Sequence, residues 1–376
     1  MKIIADSKIP FLKGVLEPYA EIEYLSPKEI VKEKLTDADA LIIRTRTHCN
    51  ASLLEGTNVK LITTATIGYD HIDTEYCNSK NIKWVNAPGC NSNSVMQYIS
   101  SLLLTLAAKK NLVLKKMTLG IVGVGNVGSK VERAAKIFGM NVLLNDPPRA
   151  RKEGNANYVE LDKLLAESDV ITMHVPLYKD GIDKTYHMAD ESFFSKMKDG
   201  AIIINSSRGP VVKSEALKNA ITSGKISASV LDVWEHEPDI DLELLKMADI
   251  ATPHIAGYSS DGKANGTAVC VNAVNEYFNL GLEKNWYPAE IPEPLNSAEL
   301  QIDCSNLSEQ EVFYKAIMHT YNVMEDDADL RKSPESFEKL RNYYKVRREF
   351  HAYNLKLNNP LAGLAEKLVR LGFKVL

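Results

Sequence analysis

Paired cysteines are missing from this sequence. Its five cysteines, Cys49, Cys77, Cys90, Cys270 and Cys304, are scattered and odd in number. None stands in a C-x-x-C or Cys/His ligand spacing, which argues against a disulfide framework and against a structural metal. Reduced thiols in a cytoplasmic protein are the expectation. Charge of one sign is also scarce. The formal net charge is −4 and the pI about 6.1, a balance that argues against nucleic acid or an anionic membrane as a partner bound through bulk charge. No long apolar run is present. The most apolar helix candidate, 95–108, is interrupted by Gln97, Ser100, Ser101 and Thr105. It is too short and too polar to span a bilayer and reads as a core helix. The opening residues lack the apolar stretch of a secretion signal, and no internal repeat or low-complexity tract occurs.

What is present is a chain of 376 residues with 45% apolar content, enough for two or three domains with buried cores. Short apolar runs alternate with helical patterns, which implies α/β architecture with mostly parallel sheets covered on both faces. In the first part, strands are expected at 2–5, 41–44, 61–64 and 82–85, with a helix over 27–35 capped by Ser26. A helix over 94–109 crosses into a second series of βα units, with strands at 119–122, 141–146, 169–174, 201–205, 228–231 and 250–252. A helix over 262–278 crosses back. The proline-rich stretch 288–295 reads as a stiff linker. Beyond it, strands at 300–304 and 352–357 and helices at 309–321, 337–347 and 360–370 form a small third α/β region. The expected domains are 1–92 plus 265–287, 93–264 and 288–376.

Within this order, residues 119–128 read LGIVGVGNVG. Gly123, Gly125 and Gly128 stand at the G-x-G-x-x-G spacing, after an apolar strand and at the start of a helix. Such glycines allow a tight turn, close approach of a pyrophosphate and close helix–strand packing. The helix N-terminus then faces the phosphates with its free N–H groups. Asp146 ends the next strand, where a carboxylate suits an adenosine ribose diol. Arg149, Arg151 and Lys152 follow, but a carboxylate at the strand end repels a 2′-phosphate, so NAD is expected rather than NADP.

Ligands in parallel sheets sit beyond the C-terminal ends of the strands. Three polar residues lie there in the second series: Arg208, Glu237 and His254. Hydride transfer between a secondary alcohol and NAD requires a group that takes the alcohol proton and a clamp for a carboxylate or carbonyl. The planar fork of an arginine suits the clamp. A histidine suits the proton step, and a carboxylate beside it would fix its ring. His174 reads as a structural wall residue. In the first region the same edge rule points to residues 44–46 and 65–68.

The blocks GVGNVG, Asp146, DVITMHVPL, NSSRGPVV, LDVWEHEP and TPHIAG, in this order, resemble the D-isomer-specific 2-hydroxyacid dehydrogenases. The blocks ATIGYDHID, NAPGCNSNSV, LRNYYKVRREF and LVRLGFKVL extend the likeness to a branch with an extra C-terminal domain that acts on a phosphorylated hydroxyacid. This resemblance implies a Rossmann-type doubly wound sheet, a flavodoxin-like substrate domain and a C-terminal domain that makes a homodimer. It implies Arg208 as catalytic arginine, His254 as proton carrier and Glu237 as its support. Asn126 and Val127 would meet the pyrophosphate. Val175, Ser206, Asp232 and Gly257 would line the NAD site, and Thr45, Thr66 and Tyr258 would contact substrate. Gln97 stands where relatives commonly carry Glu. For the substrate phosphate, Arg44 and Arg46 are candidates, with Arg347 and Arg348 from a partner subunit as alternatives; strand alternation would turn Arg44 and Arg46 away from Thr45. Two other readings share the fold: oxidation of a different hydroxyacid such as 3-phosphoglycerate, and a non-catalytic NAD-sensing corepressor. The joint presence of Arg208, Glu237 and His254 favours catalysis.

Overall fold

In the computed structural model, which describes residues 1–376, three parallel sheets form. The chain divides into two compact units, 1–91 with 259–292 and 92–258 with 293–376.

The first unit holds strands β1 (Lys2–Asp6), β2 (Glu21–Leu25), β3 (Ala40–Ile43), β4 (Leu61–Thr64) and β5 (Lys83–Val85) in the order β2-β1-β3-β4-β5. This is the flavodoxin-like order. Successive side chains point to opposite faces. Ala40 and Ile42 therefore join Ile3 and Ala5 against Cys270, Val271 and Val274 of helix Ser260–Phe278. Leu41 and Ile43 face the opposite way, onto Leu35, Leu54 and Cys77.

β2 was not read from the sequence, because its alternating Glu and apolar residues suit an edge strand that is only half covered. The helix expected over 27–35 is reduced to Lys32–Leu35. Ser26 instead closes a turn with Glu29, which binds the Ser26 N–H through its carboxylate. β3 ends at Ile43, and residues 44–46 are a turn, so the strand alternation inferred for Arg44, Thr45 and Arg46 does not apply.

The second unit holds β6 (Thr118–Val122), β7 (Asn141–Asn145), β8 (Val170–Met173), β9 (Ala201–Asn205), β10 (Ile226–Leu231) and β11 (Ile250–Ala251), in the order β11-β10-β9-β8-β6-β7. One face packs on helices Ser92–Lys110 and Asn126–Ile137, the other on Phe193, Phe194, Leu217 and Leu244. The chain passes from β6 outward to β7, then back across to β8. The gap between the loops after β6 and β8 is the switch point at which such sheets bind ligands.

The third sheet, β12 (Glu299–Asp303), β13 (Asn354–Asn358) and β14 (Lys374–Val375), belongs to the second unit because its core is continuous with that unit's core. Phe313 of helix Glu309–Thr320 meets Phe138 edge-on, with ring centres 5.2 Å apart. The polar residues that interrupt helix Ser92–Lys110 explain the attachment. Ser94 Oγ donates to Glu349 Oε1 at 2.8 Å. Gln97 Nε2 donates to Thr320 Oγ1 and to the Arg348 carbonyl. Ser101 Oγ donates to the Tyr321 carbonyl and accepts from Val323 N–H. A carboxylate at 97 would set an acceptor against those two acceptors, which is the physical sense of glutamine here.

The helix expected over 337–347 stops at Asn342. Beyond it the chain sends Tyr344 to Asp326 and Arg347 to the carbonyl of Ala256. A helix Val323–Lys332, unread from its charged sequence, fills the gap before it.

Ser101→Ala would leave a buried carbonyl and a buried N–H unpaired, at a cost of about 1–3 kcal/mol. The urea midpoint is expected to fall accordingly. An unchanged midpoint would mean these bonds do not hold the C-terminal segment.

Candidate active site

The second-unit residues singled out by their motifs lie at the C-terminal edge of the six-stranded sheet, on the loops leaving its strands or, for Asn126, Val127 and Gly128, in the first turn of the following helix. The glycine loop follows β6, Asp146 follows β7 and Val175 follows β8. Ser206 and Arg208 follow β9. Asp232 and Glu237 follow β10, and His254, Gly257 and Tyr258 follow β11. Parallel strands make this convergence unavoidable, since all their C-terminal ends share one edge.

The glycine loop fits a dinucleotide. A Cβ at Gly128 would sit 2.1 Å from the Gly123 carbonyl oxygen, so the helix Asn126–Ile137 docks on the turn without room for a side chain. A Cβ at Gly125 would meet nothing within 4 Å. That open side has no side chain capping the helix, and an uncapped helix N-terminus suits an anion. Asp146 lies beside the loop, its carboxylate accepting from Val124 N–H at 2.8 Å and from Arg149 N–H at 3.0 Å. Arg149 binds Glu153 and the Val124 carbonyl, and Arg151 binds Asp183. Both arginines that could suit a 2′-phosphate thus have partners, consistent with NAD.

His254 Nδ1 and Glu237 Oε2 are 2.7 Å apart. The other Glu237 oxygen accepts from Trp234 N–H at 3.0 Å. Burial alone would raise the Glu237 carboxyl; the His254 charge, these hydrogen bonds and the Arg341 guanidinium together hold it below the ordinary value. Glu237 is therefore an anion, and it fixes the imidazole through Nδ1. His254 itself sits at φ +57°, a conformation uncommon outside glycine. The reason lies in Asp232, which is 1% exposed. Its carboxylate accepts from Thr252 Oγ1 at 2.7 Å, Ile255 N–H at 2.7 Å and Ala256 N–H at 3.0 Å. Burial pushes this carboxyl upward, and the three donors stabilise its charge. Asp232, expected to line the NAD site, thus accepts two hydrogen bonds at Oδ1 and one at Oδ2, all from the loop that carries His254.

Arg208 follows β9, its Nη1 donating to the Ser207 carbonyl. A Cβ on Gly209 would fall 1.9 Å from the Trp234 carbonyl oxygen. Only glycine lets the Arg208 loop lie against the loop that leads to Glu237. Tyr258 closes a turn on Ile255. His174 lies between Thr172 Oγ1 and Ser206 Oγ. The protein packed around the ring depresses its pKa to about 3.

In the first unit, Thr45 is exposed in the turn after β3. Thr66 Oγ1 donates to the Gly68 carbonyl and meets Thr64 Oγ1 at 2.8 Å. Arg44 is bound to the buried Asp6 at 2.9 Å. Arg347 cannot reach out to a partner subunit: it is 3% exposed, bonded to the Ala256 and Ser94 carbonyls and stacked 4.4 Å from the Tyr321 ring centre. Arg341, which lies 3.8 Å from Glu237, was not singled out from sequence. Its one signal in the sequence is its place in LRNYYKVRREF, ahead of the basic pair at 347–348.

These loops make an NAD-dependent 2-hydroxyacid dehydrogenase. The family model described as "D-isomer specific 2-hydroxyacid dehydrogenase, NAD binding domain" matches residues 105–256, and a domain model of unknown function matches 294–372. The chain belongs to the D-isomer-specific 2-hydroxyacid dehydrogenases. It is 51% identical over 356 residues to a Bacteroides thetaiotaomicron protein named erythronate-4-phosphate dehydrogenase, covering 94% of this chain and 99% of that one. A Cronobacter sakazakii protein of the same name is 38% identical, with 99% and 98% covered. Among solved structures, D-lactate dehydrogenase from Aquifex aeolicus, complexed with NAD and lactic acid, is 30% identical with a TM-score of 0.64. That match covers 77% of this chain and all of the other.

The depressed His174 has a consequence for stability. The folded ring stays neutral down to about pH 3, whereas the unfolded ring takes a proton near 6.5. Its contribution is present above pH 6.5 and is lost as pH falls toward 3. Denaturation midpoints between pH 7 and 5 are expected to fall less in His174→Gln than in the wild type. Equal acid losses in both would contradict this.

Proposed function

We propose that the chain oxidises 4-phospho-D-erythronate at C2 to (R)-3-hydroxy-2-oxo-4-phosphooxybutanoate, a step of vitamin B6 synthesis. The observation that carries this reading is the 2.7 Å His254–Glu237 pair on the same sheet edge as Arg208 and the glycine loop. The names of the relatives matched along nearly the whole chain point to the same substrate.

With Nδ1–H donated to Glu237, His254 presents Nε2 to accept the C2 hydroxyl proton. Arg208 clamps the substrate carboxylate and stabilises the charge that develops on the C2 oxygen. Bound NAD supplies the hydride acceptor. The pyrophosphate is assigned to the N–H groups at Asn126 and Val127, and the adenosine ribose to Asp146. Val175, Ser206, Asp232 and Gly257 are assigned to the wall of the NAD site, and Thr45, Thr66 and Tyr258 to substrate. Asp232 also holds the His254 loop. Homodimerisation through the C-terminal segment is part of this reading, supported by the exposed Tyr314, Leu361 and Val369. A cytoplasmic setting is supported by five cysteines that form no disulfide.

NADH absorbance on mixing the protein with NAD and 4-phospho-D-erythronate tests the reading, with a 2-oxo acid present to turn over bound NADH. Faster oxidation of 3-phosphoglycerate, or no turnover of any hydroxyacid, would refute it. His254→Ala is expected to lower kcat by ~10²–10⁴; a loss below about tenfold, with chemistry rate-limiting, removes His254 from the proton step.

For the substrate phosphate, Arg46 is the cleaner test, because Arg44→Ala would also strand the buried Asp6 carboxylate. Arg46→Ala is expected to lower kcat/KM on the phosphorylated substrate more than on erythronate. Equal losses would exclude Arg46 as the phosphate ligand.

A further inference from the structure

The C-terminal segment, whose family model names no function, reaches the His254–Glu237 pair within the same chain. Helix Phe337–Asn342 turns Arg341 inward, leaving its side chain 13% exposed. Nη1 lies 3.8 Å from Glu237 Oε2, the oxygen that also meets His254 Nδ1. The guanidinium carbon lies 5.7 Å from the Tyr258 ring centre and 5.9 Å from that of Phe337. Tyr344 meets Tyr258 edge-on at 5.9 Å. Arg341 Nε is buried without a hydrogen-bond partner. A cation buried in this way is costly unless an anion lies beside it. Glu237 is that anion.

We propose that Arg341 is a positioning residue for the dehydrogenase reaction. It holds Glu237 charged and turned toward His254, and it braces Tyr258, so that the C-terminal segment completes the site of its own chain. This rests on the dehydrogenase reading above. Three groups bear on the pair's charge: Arg341 and His254, which face Glu237 from the C-terminal helix and the loop after β11, and Asp232, which faces His254 from the loop after β10. The Trp234 N–H adds a fixed dipole. An opposite charge at this range favours the ionised carboxylate, and Arg341 adds to the larger effect of His254. Removing Arg341 therefore makes the pair take up its proton at higher pH, and the acid limb of oxidation moves up with it.

The test compares Arg341→Met and Arg341→Lys with the wild type, each checked for folding by its thermal melt. The midpoint of the pair is read twice: from the pH profile of kcat, and from the His254 ring signals in a proton-titration NMR series assigned with His254→Gln. Arg341→Met is expected to raise the midpoint by about one unit and lower kcat about tenfold or more. The KM for NAD should stay unchanged, and Arg341→Lys should recover most of both effects. If Arg341→Met does not fold, Arg341→Gln takes its place. A folded neutral variant with an unmoved midpoint overturns the proposal, as does loss of activity in the lysine variant equal to that in the neutral one. The NMR reading needs no turnover. A wild type that fails to oxidise any hydroxyacid therefore refutes the function alone, and an unmoved NMR midpoint refutes Arg341 alone.

Discussion

The geometry of the site depends on one buried carboxylate. Asp232 follows its strand almost entirely buried, where an uncompensated charge would be costly. It is compensated by Thr252 Oγ1 and by the backbone N–H groups of Ile255 and Ala256. Those donors flank His254, so the loop has to coil around the carboxylate, and His254 is held in its left-handed conformation. Thr252 is held in turn by the Tyr98 hydroxyl at 2.7 Å, and its carbonyl accepts from Trp234 Nε1. A charge that must be satisfied has therefore fixed where the imidazole points. Glu237 then fixes how the ring is turned.

The same loop is braced from its far side. The Ala256 carbonyl accepts from Arg347, and Tyr258 is flanked by Arg341 and Tyr344. All three come from the C-terminal segment, which is bound to helix Ser92–Lys110 through buried serines and glutamine. Polar residues within an apolar helix carry a strong directional preference, because an unmade bond in the core costs more than a made one contributes. The segment is thus seated in one register, and its arginines arrive at the active-site loop as a consequence.

Much of this was legible in the sequence. The glycine loop, the strands that follow it and the positions of Arg208, Glu237 and His254 could be read because each depends on local rules. These are turn chemistry, alternating apolar runs and the C-terminal edge of a parallel sheet. β2 escaped because an edge strand need not be apolar, and the helices at 27–35 and 337–347 were overextended because propensity continues where tertiary contacts call the chain away. Strand alternation was carried past the expected strand end to residue 46, and the turn at this point frees Thr45 from it.

The sequence by itself determined the cofactor class, the parallel α/β architecture and the identity of the residues suited to proton transfer and carboxylate binding. These follow from residue type and near-neighbour spacing. Tertiary structure alone decided that Asp232 serves the His254 loop, that Arg44 is engaged by Asp6, that Arg347 is buried in its own chain and that Arg341 stands at Glu237. Each of those facts joins a charged group to partners distant in sequence. Arg341 and Glu237 are brought together only when the C-terminal segment docks on helix Ser92–Lys110, and no local pattern records which carboxylate a distant arginine will meet.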